Sequence, residues 1–540
     1  MSEAPRFELD ASVRRRDGGR LLVGGTPPRL LRLSDAGAAA LDSILALAAA
    51  PGGRPLARQR RRGRLKARPA GQRTTAGRGP GQRTTAVAGL AGRLERQGVI
   101  HPLPEDDDAA EVTAIVPVLD GGERLADLVA ALAAEGPVIV VDDGSRDGSG
   151  ERAERAGARV VRHDAPRGPA AARNAGLDAA GTELVAFLDA DCEVAPGWRR
   201  GLAGLFAADP DLALLAPRVR SAPGDSALAR YEEAGSPLDL GPRASLVGPE
   251  RRIAYLPAAA LLARRDALVA QGGFDEALRY GEDVDLVWRL LAAGHRVRYV
   301  PSREVLHRPR PSVPDFARQR AGYGGSAPEL VRRHGSAAAP LRASRHSAAI
   351  WGSAALLGPR ALLPALAAST AIVARRGTDG SSRRALAEVA LRGQADATAH
   401  LARVVTREWL PLALAAAPFS RRARRFLLAA AIVDTIPVWT ATMSSRRAPA
   451  VAPDRRTAGA PGASPAGPRT ATAPYDDRPA DRLAPPPRAA SPTSLLGATA
   501  LHALDRSAYA AGMWREMARS RDFRALRPAP PRSSPAAARR

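Results

Sequence analysis

The chain has 540 residues, 80 Lys and Arg against 55 Asp and Glu, a formal net charge of +25 and one cysteine. That length holds about two to four domains at roughly 100–200 residues each, and one cysteine excludes a disulfide framework or a multi-cysteine zinc site. The charge does not carry a nucleic-acid assignment: Lys66 is the only lysine, and no basic helix-turn-helix, zinc finger or aromatic sheet pattern accompanies the arginines.

The N-terminus, MSEAPRFELD, lacks a basic start followed by an apolar core, so no cleaved signal peptide is expected and the location reads as cytoplasmic. Arg20–Gly25 predicts a short strand meeting a glycine turn. Leu30–Ser34 then leads through a Ser34 cap into a helix over Ala36–Ala49, and a second helix over Ala86–Gly98 runs into a strand at Val99–Pro102. Residues 1–50 and 86–104 are thus expected to form a small winged-helix-like module. Between them, no acidic residue occurs from Ser43 to Leu94, and Gly71–Ala76 recurs as Gly81–Ala86. Residues 51–85 are expected to be a disordered Arg-rich insertion.

Residues 111–310 alternate strand and helix. Val112–Val118 is a continuous apolar run, as in a buried parallel strand. A helix at Arg124–Ala134, strands at Val138–Val141 and Ala158–Arg162, a helix at Pro169–Ala180 and a strand at Leu184–Leu188 follow. This pattern predicts a doubly wound α/β sheet, which binds ligands beyond the carboxyl ends of its strands. Beyond 310 the chain reads as helical. Ala348–Ala374 carries Arg360 and Pro364 midway, and neither Trp409–Phe419 nor Phe426–Thr440 reaches the run of about 20 apolar residues that spans a bilayer. Three placements stay open for 311–444: spanning a membrane, packing on the α/β domain, or lying at the inner face of the plasma membrane as a peripheral association. Residues 445–490 are expected to be a disordered linker, 491–526 a C-terminal helix, and 527–540 a disordered tail.

Several motifs stand where strands hand over to loops. Along an extended chain Asp189 and Asp191 project to the same side, and two carboxylates at that spacing suit Mg²⁺ or Mn²⁺ on a diphosphate. Asp142-Asp143-Gly144-Ser145 closes another strand, either as an Asp/Gly turn or as an acceptor for a base or ribose. Arg173, on the following helix, reads as surface charge or as a bidentate phosphate ligand. Gly281-Glu282-Asp283 opens a helix, where acids suit the dipole, or where Asp283 acts as a general base. His307, after a strand at Val297–Val300, is a third metal ligand or a core histidine.

Taken in order, Val112–Val118, Val140–Ser145, Ala172–Gly176, Phe187–Asp191, Gly272–Glu276 and Gly281–Asp283 resemble family 2 glycosyltransferases. The resemblance implies a GT-A fold, a Rossmann-like nucleotide-sugar half joined to an acceptor half. It implies that Pro117, Asp120 and Asp143 contact the nucleoside and that Arg173 lies near the diphosphate. Asp189 would lie near ribose and metal, Asp191 would ligate the metal, and Asp283 would be the base of an inverting displacement supported by Glu282. The flanks Arg29–Ser34, Gln97–Pro102, Arg320–Gly325 with His334, and Tyr509–Trp514 resemble the mycofactocin-system glycosyltransferases of actinobacteria. That narrower resemblance implies glucose transfer from UDP-glucose to a peptide-derived redox cofactor. A cell-envelope enzyme acting on a lipid or polysaccharide, and a non-catalytic peptide-binding protein on the same scaffold, are the competing readings.

Overall fold

The computed structural model describes residues 6–25, 29–46, 80–104, 110–447 and 495–529. The disorder expected for 51–79, 448–490 and 530–540 lies outside the described residues. The N-terminal unit contains β1 (Phe7–Leu9), β2 (Arg14–Arg16), β3 (Leu21–Gly24), β4 (Arg29–Arg32), α1 (Asp35–Ala46), α2 (Pro80–Arg96) and β5 (Ile100–Pro102). The anticipated β3 and β5 do not pair with each other. β3 sits between β2 and β4, while β5 pairs with β1. Leu22, Leu41, Ile44, Leu94 and Ile100 share the core of this unit. Ser34 caps α1 by accepting the Gly37 N–H at 3.1 Å. α2 begins at Pro80, so 80–85 belong to a helix and not to the insertion.

The α/β domain follows with β6 (Val112–Val118), α3 (Leu125–Ala133), β7 (Val138–Asp142), α4 (Ser149–Arg155), β8 (Arg159–Arg162), α5 (Pro169–Ala179) and β9 (Leu184–Leu188). Next come β10 (Cys192–Val194), α6 (Leu202–Ala208), β11 (Leu212–Ser221), α7 (Ala227–Gly235), β12 (Ser245–Leu246), β13 (Ala260–Arg264), α8 (Arg265–Ala270), α9 (Glu282–Ala292) and β14 (Arg296–His307). The sheet runs β10-β14-β11-β13-β9-β6-β7-β8, with β12 added on β14. β9, β6, β7 and β8 are mutually parallel, and β13 is antiparallel to both of its neighbours. One core packs α3, α4 and α6 on one face, and a second packs α5, α8 and α9 on the other. Strands buried on both faces are predominantly apolar, as in VTAIVPV and LVAFL. β10, β11, β12 and β13 were not anticipated. The ALLAR stretch of β13 is alanine- and leucine-rich, a composition that favours helix, and only its central place in the sheet makes it a strand.

The remaining helices are α10 (Val313–His334), α11 (Arg345–Leu357), α12 (Leu362–Ala374), α13 (Gly380–Thr406), α14 (Leu410–Ala416), α15 (Arg421–Arg447) and α16 (Leu495–Ser520). α10 and α16 cross where a Cβ on Gly324 would lie 2.0 Å from the Tyr509 carbonyl oxygen and one on Gly512 1.9 Å from that of Ala321. The two flanking motifs are therefore the two sides of one glycine-to-backbone crossing. α15 continues through Arg447, so the linker starts later than residue 445. Residues 527–529 are ordered against the body, with the Ala529 N–H donating to the Leu341 carbonyl at 2.9 Å. α15 over Arg421–Met443 is long and apolar enough to cross a membrane by length and composition alone.

Candidate active site

The carboxyl ends of β6, β7 and β9 open into a cleft of about 1970 Å³ whose lining includes Pro117, Asp120, Asp143, Arg173, Asp189, Asp191 and Glu282. At the end of β7, buried Asp142 builds the turn: its carboxylate accepts the Ser145 N–H at 2.7 Å and pairs with Arg162 at 3.0 Å. Asp143 organises the loop leading to α5. Its oxygens accept the backbone N–H groups of Arg167 (2.9 Å) and Gly168 (2.7 Å), and His163 Nδ1 lies 2.7 Å away. Asp120 has a left-handed backbone (φ +54°) and ties the loop after β6 to the same turn by accepting the Arg146 N–H at 2.9 Å.

The second corner depends on strand register. β14 runs to His307, which is the last residue of the strand rather than a residue beyond it, and the ladder sets His307 opposite Cys192 of β10. His307 Nε2 thereby lies 3.1 Å from Asp191 Oδ1, and ligand atoms of Asp189, Asp191 and His307 all fall within 4.8 Å of one another. Burial pushes Asp191 up, yet the His307 hydrogen bond and the charges of His307 and Arg310 leave it below the ordinary carboxylate value. Burial pushes His307 down, but its bond to Asp191 raises it overall. Two carboxylates and one imidazole converging at this range form a donor set that fits Mg²⁺ or Mn²⁺.

Arg173 lines the cleft beside the metal corner, buried rather than a surface charge. It donates to Asp189 Oδ1 at 2.7 Å and to Glu282 Oε1 at 2.8 Å, with its guanidinium 5.4 Å from the Phe274 ring centre. It braces the metal corner against the start of α9 and is committed to carboxylates. The adjoining Asn174 locks the Gly272–Glu276 motif, exchanging hydrogen bonds of 2.8 Å with the backbone of Phe274. A cation that sequence reasoning missed faces the cleft. Arg310, three residues beyond His307, has a half-exposed guanidinium 3.5 Å from Asp191 Oδ2. The HRPR stretch was its only sequence signal.

α9 is preceded by its N-cap Gly281, whose φ of +81° disfavours any side chain and whose Cα faces Leu330 and Ser326 of α10. Glu282 is the member of the acidic pair on the cleft wall, and Asp283 lies beside it, partly exposed. The Asp283 carboxylate accepts the N–H groups of Ala258 at 3.1 Å and Val284 at 2.8 Å. Burial, followed by the Glu282 charge, pushes it up to about 7. A carboxyl poised near neutrality suits proton abstraction. Asp285, the third acid, is structural: it lies 2.8 Å from His334 and 2.7 Å from Arg289. Tyr280 and Tyr323, also unanticipated, line the cleft near this pair with ring centres 5.9 Å apart.

Comparison with known proteins agrees with this geometry. Residues 113–262 match the model of the family described as glycosyl transferase family 2. The pre-mycofactocin glycosyltransferase of Mycobacterium tuberculosis is 36% identical over 532 residues, covering 96% of this chain and 97% of that protein. The succinoglycan biosynthesis protein ExoO of Rhizobium meliloti is 32% identical over 214 residues, covering 37% of this chain and 61% of its own length. The shorter likeness covers little more than a third of this chain, whereas the first spans nearly all of it. With a GT-A sheet, an aspartate pair at the end of β9 and a relative that matches nearly its whole length, this chain belongs to the family 2 glycosyltransferases and resembles the mycofactocin member from end to end.

Proposed function

We propose that the enzyme transfers glucose from UDP-glucose to a hydroxyl of a mycofactocin precursor, with inversion at the anomeric carbon. The observation that carries the chemistry is the bridge made by Arg173, which sets Glu282 and the Asp189–Asp191–His307 corner at two ends of one guanidinium. The acceptor rests on the near full-length likeness to the pre-mycofactocin relative, and glucose as the sugar is what the resemblance of the flanking motifs implies. Asp189, Asp191 and His307 would hold a divalent cation, which when bound neutralises charge on the diphosphate leaving group. Asp143 and Asp120 shape the nucleoside end, and Asp143 retains acceptor capacity after its three hydrogen bonds. Arg310, half-exposed on the cleft wall beside Asp191, would contact the diphosphate alongside Arg173. Asp283 takes the acceptor proton as its oxygen attacks, and a direct displacement of this kind inverts configuration.

The test is to incubate the purified enzyme with a panel of nucleotide sugars and the precursor, follow nucleotide diphosphate release, and read the product's anomeric configuration by NMR. Release with UDP-glucose and a β-linked product supports the reading. Turnover restricted to a lipid or polysaccharide acceptor would favour the cell-envelope alternative.

A further inference from the structure

α15 presents two faces. One is committed to its neighbours: Asp434 accepts the Thr406 hydroxyl and Arg506 Nε, each at 2.8 Å, and lies 3.1 Å from His502, while Trp439 Nε1 donates to Thr499 at 2.9 Å. The other is bare. Leu428 (62% exposed), Ile432 (54%) and Ile436 (46%) recur at i, i+4 and i+8, and Phe419 (91%) stands just before the helix. Arg421 and Arg425 continue this stripe toward the N-terminus, and Arg422 is exposed beside them. Arg424 donates to the carbonyls of Ala417 and Pro418 at 2.8 and 3.2 Å, bracing the turn that carries Phe419. From Trp409 to Val433 the chain has four arginines and no acidic residue.

We propose that this face of α15 docks on an anionic lipid surface. The helix lies in the interfacial plane, with Phe419, Leu428, Ile432 and Ile436 at the headgroup–acyl boundary and Arg421, Arg422 and Arg425 on lipid phosphates. Apolar side chains on one face, flanked by cations without acids, match that boundary in both polarity and charge. A spanning arrangement is disfavoured because it would pull α15 from α13 and α16 and leave Asp434 without Arg506, His502 and Thr406. Residues 448–494 offer only Val451, Tyr475 and Leu483 as large apolar side chains, too few to cover the stripe. Nothing in this inference depends on the glycosyl-transfer assignment.

The full chain is sedimented with vesicles of phosphatidylcholine alone and of phosphatidylcholine with phosphatidylglycerol in equal parts. The protein is expected to partition onto the anionic vesicles, less so at raised salt, and weakly onto the neutral ones. The triple variant R421A/R422A/R425A should weaken partition roughly 100-fold, at roughly five-fold per arginine. Leu428→Ser with Ile432→Ser should weaken it at every salt concentration. All five side chains are exposed, so unchanged thermal melting verifies that each variant is folded. Wild-type protein remaining in the supernatant with anionic vesicles overturns the proposal. So does wild-type partition by the arginine variant, or a dimer in sedimentation velocity that the Leu428/Ile432 variant dissolves without altering vesicle binding.

Discussion

Replacing Asp283 by Asn separates two consequences of one partly buried carboxyl. Its midpoint rises from the ordinary 3.8 to about 7 because burial and then the Glu282 charge disfavour the anion. At 1.36 kcal/mol per pH unit, ionising it in place costs about 4 kcal/mol. A carboxyl raised on folding contributes stability that is present at low pH and lost as pH climbs through 7, so above neutrality the native enzyme bears this cost. Asn carries no charge but offers one acceptor oxygen where Asp283 meets two backbone N–H groups. Leaving one unpaired returns about 1–3 kcal/mol. The variant should therefore gain a net 1–3 kcal/mol, as an order of magnitude, over wild type near pH 8–9, with the gap closing toward pH 5. Turnover should fall by roughly 10²–10⁴-fold, the usual contribution of a placed base. In wild type, kcat/KM should rise with pH and level off above about 7, the Asp283 midpoint. Paired melting curves and initial rates across this range check both consequences. Near-wild-type turnover by the variant, or a melting gap that does not change with pH, refutes the reasoning. Glu282→Gln is the informative control: removing its charge should move the pH midpoint of the rate downward, while binding of nucleotide diphosphate survives.

Three further outcomes follow from the geometry. Asp191→Asn removes the charge that faces His307 and Arg310, so calorimetric binding of nucleotide diphosphate should lose most of its dependence on Mn²⁺. Arg310→Ala should weaken nucleotide diphosphate binding about 10- to 100-fold, the range of a charge-assisted hydrogen bond, and leave binding of the nucleoside alone unchanged. Equal losses for both ligands would remove Arg310 from the diphosphate. Gly512→Ala places a methyl 1.9 Å from the Ala321 carbonyl oxygen, with backbone rather than a flexible side chain as the obstacle. Scanning calorimetry should show a drop in melting temperature equivalent to at least about 1–3 kcal/mol of overpacking.

What the amino-acid sequence determined by itself is local. A buried parallel strand is predominantly apolar along its length, so β6 and β9 were legible, and aspartates two apart at a strand end share one side wherever that strand is placed. The glycine and acids of Gly281-Glu282-Asp283 likewise announce a helix start without reference to the rest of the molecule. Pairings across long stretches of chain were decided by tertiary structure. β13 has a helix-favouring composition and becomes a strand because β9 and β11 flank it with unpaired backbone. His307 could be a ligand or a core residue until the β10–β14 ladder turned it onto Asp191. Arg173 could be a surface charge until packing buried it between Asp189 and Glu282, whereas Arg310 acquired its place only through the course of β14. Gly324 and Gly512 have no local need for glycine within their helices. The need arises from the backbone of the other helix, whose approach no window of sequence contains.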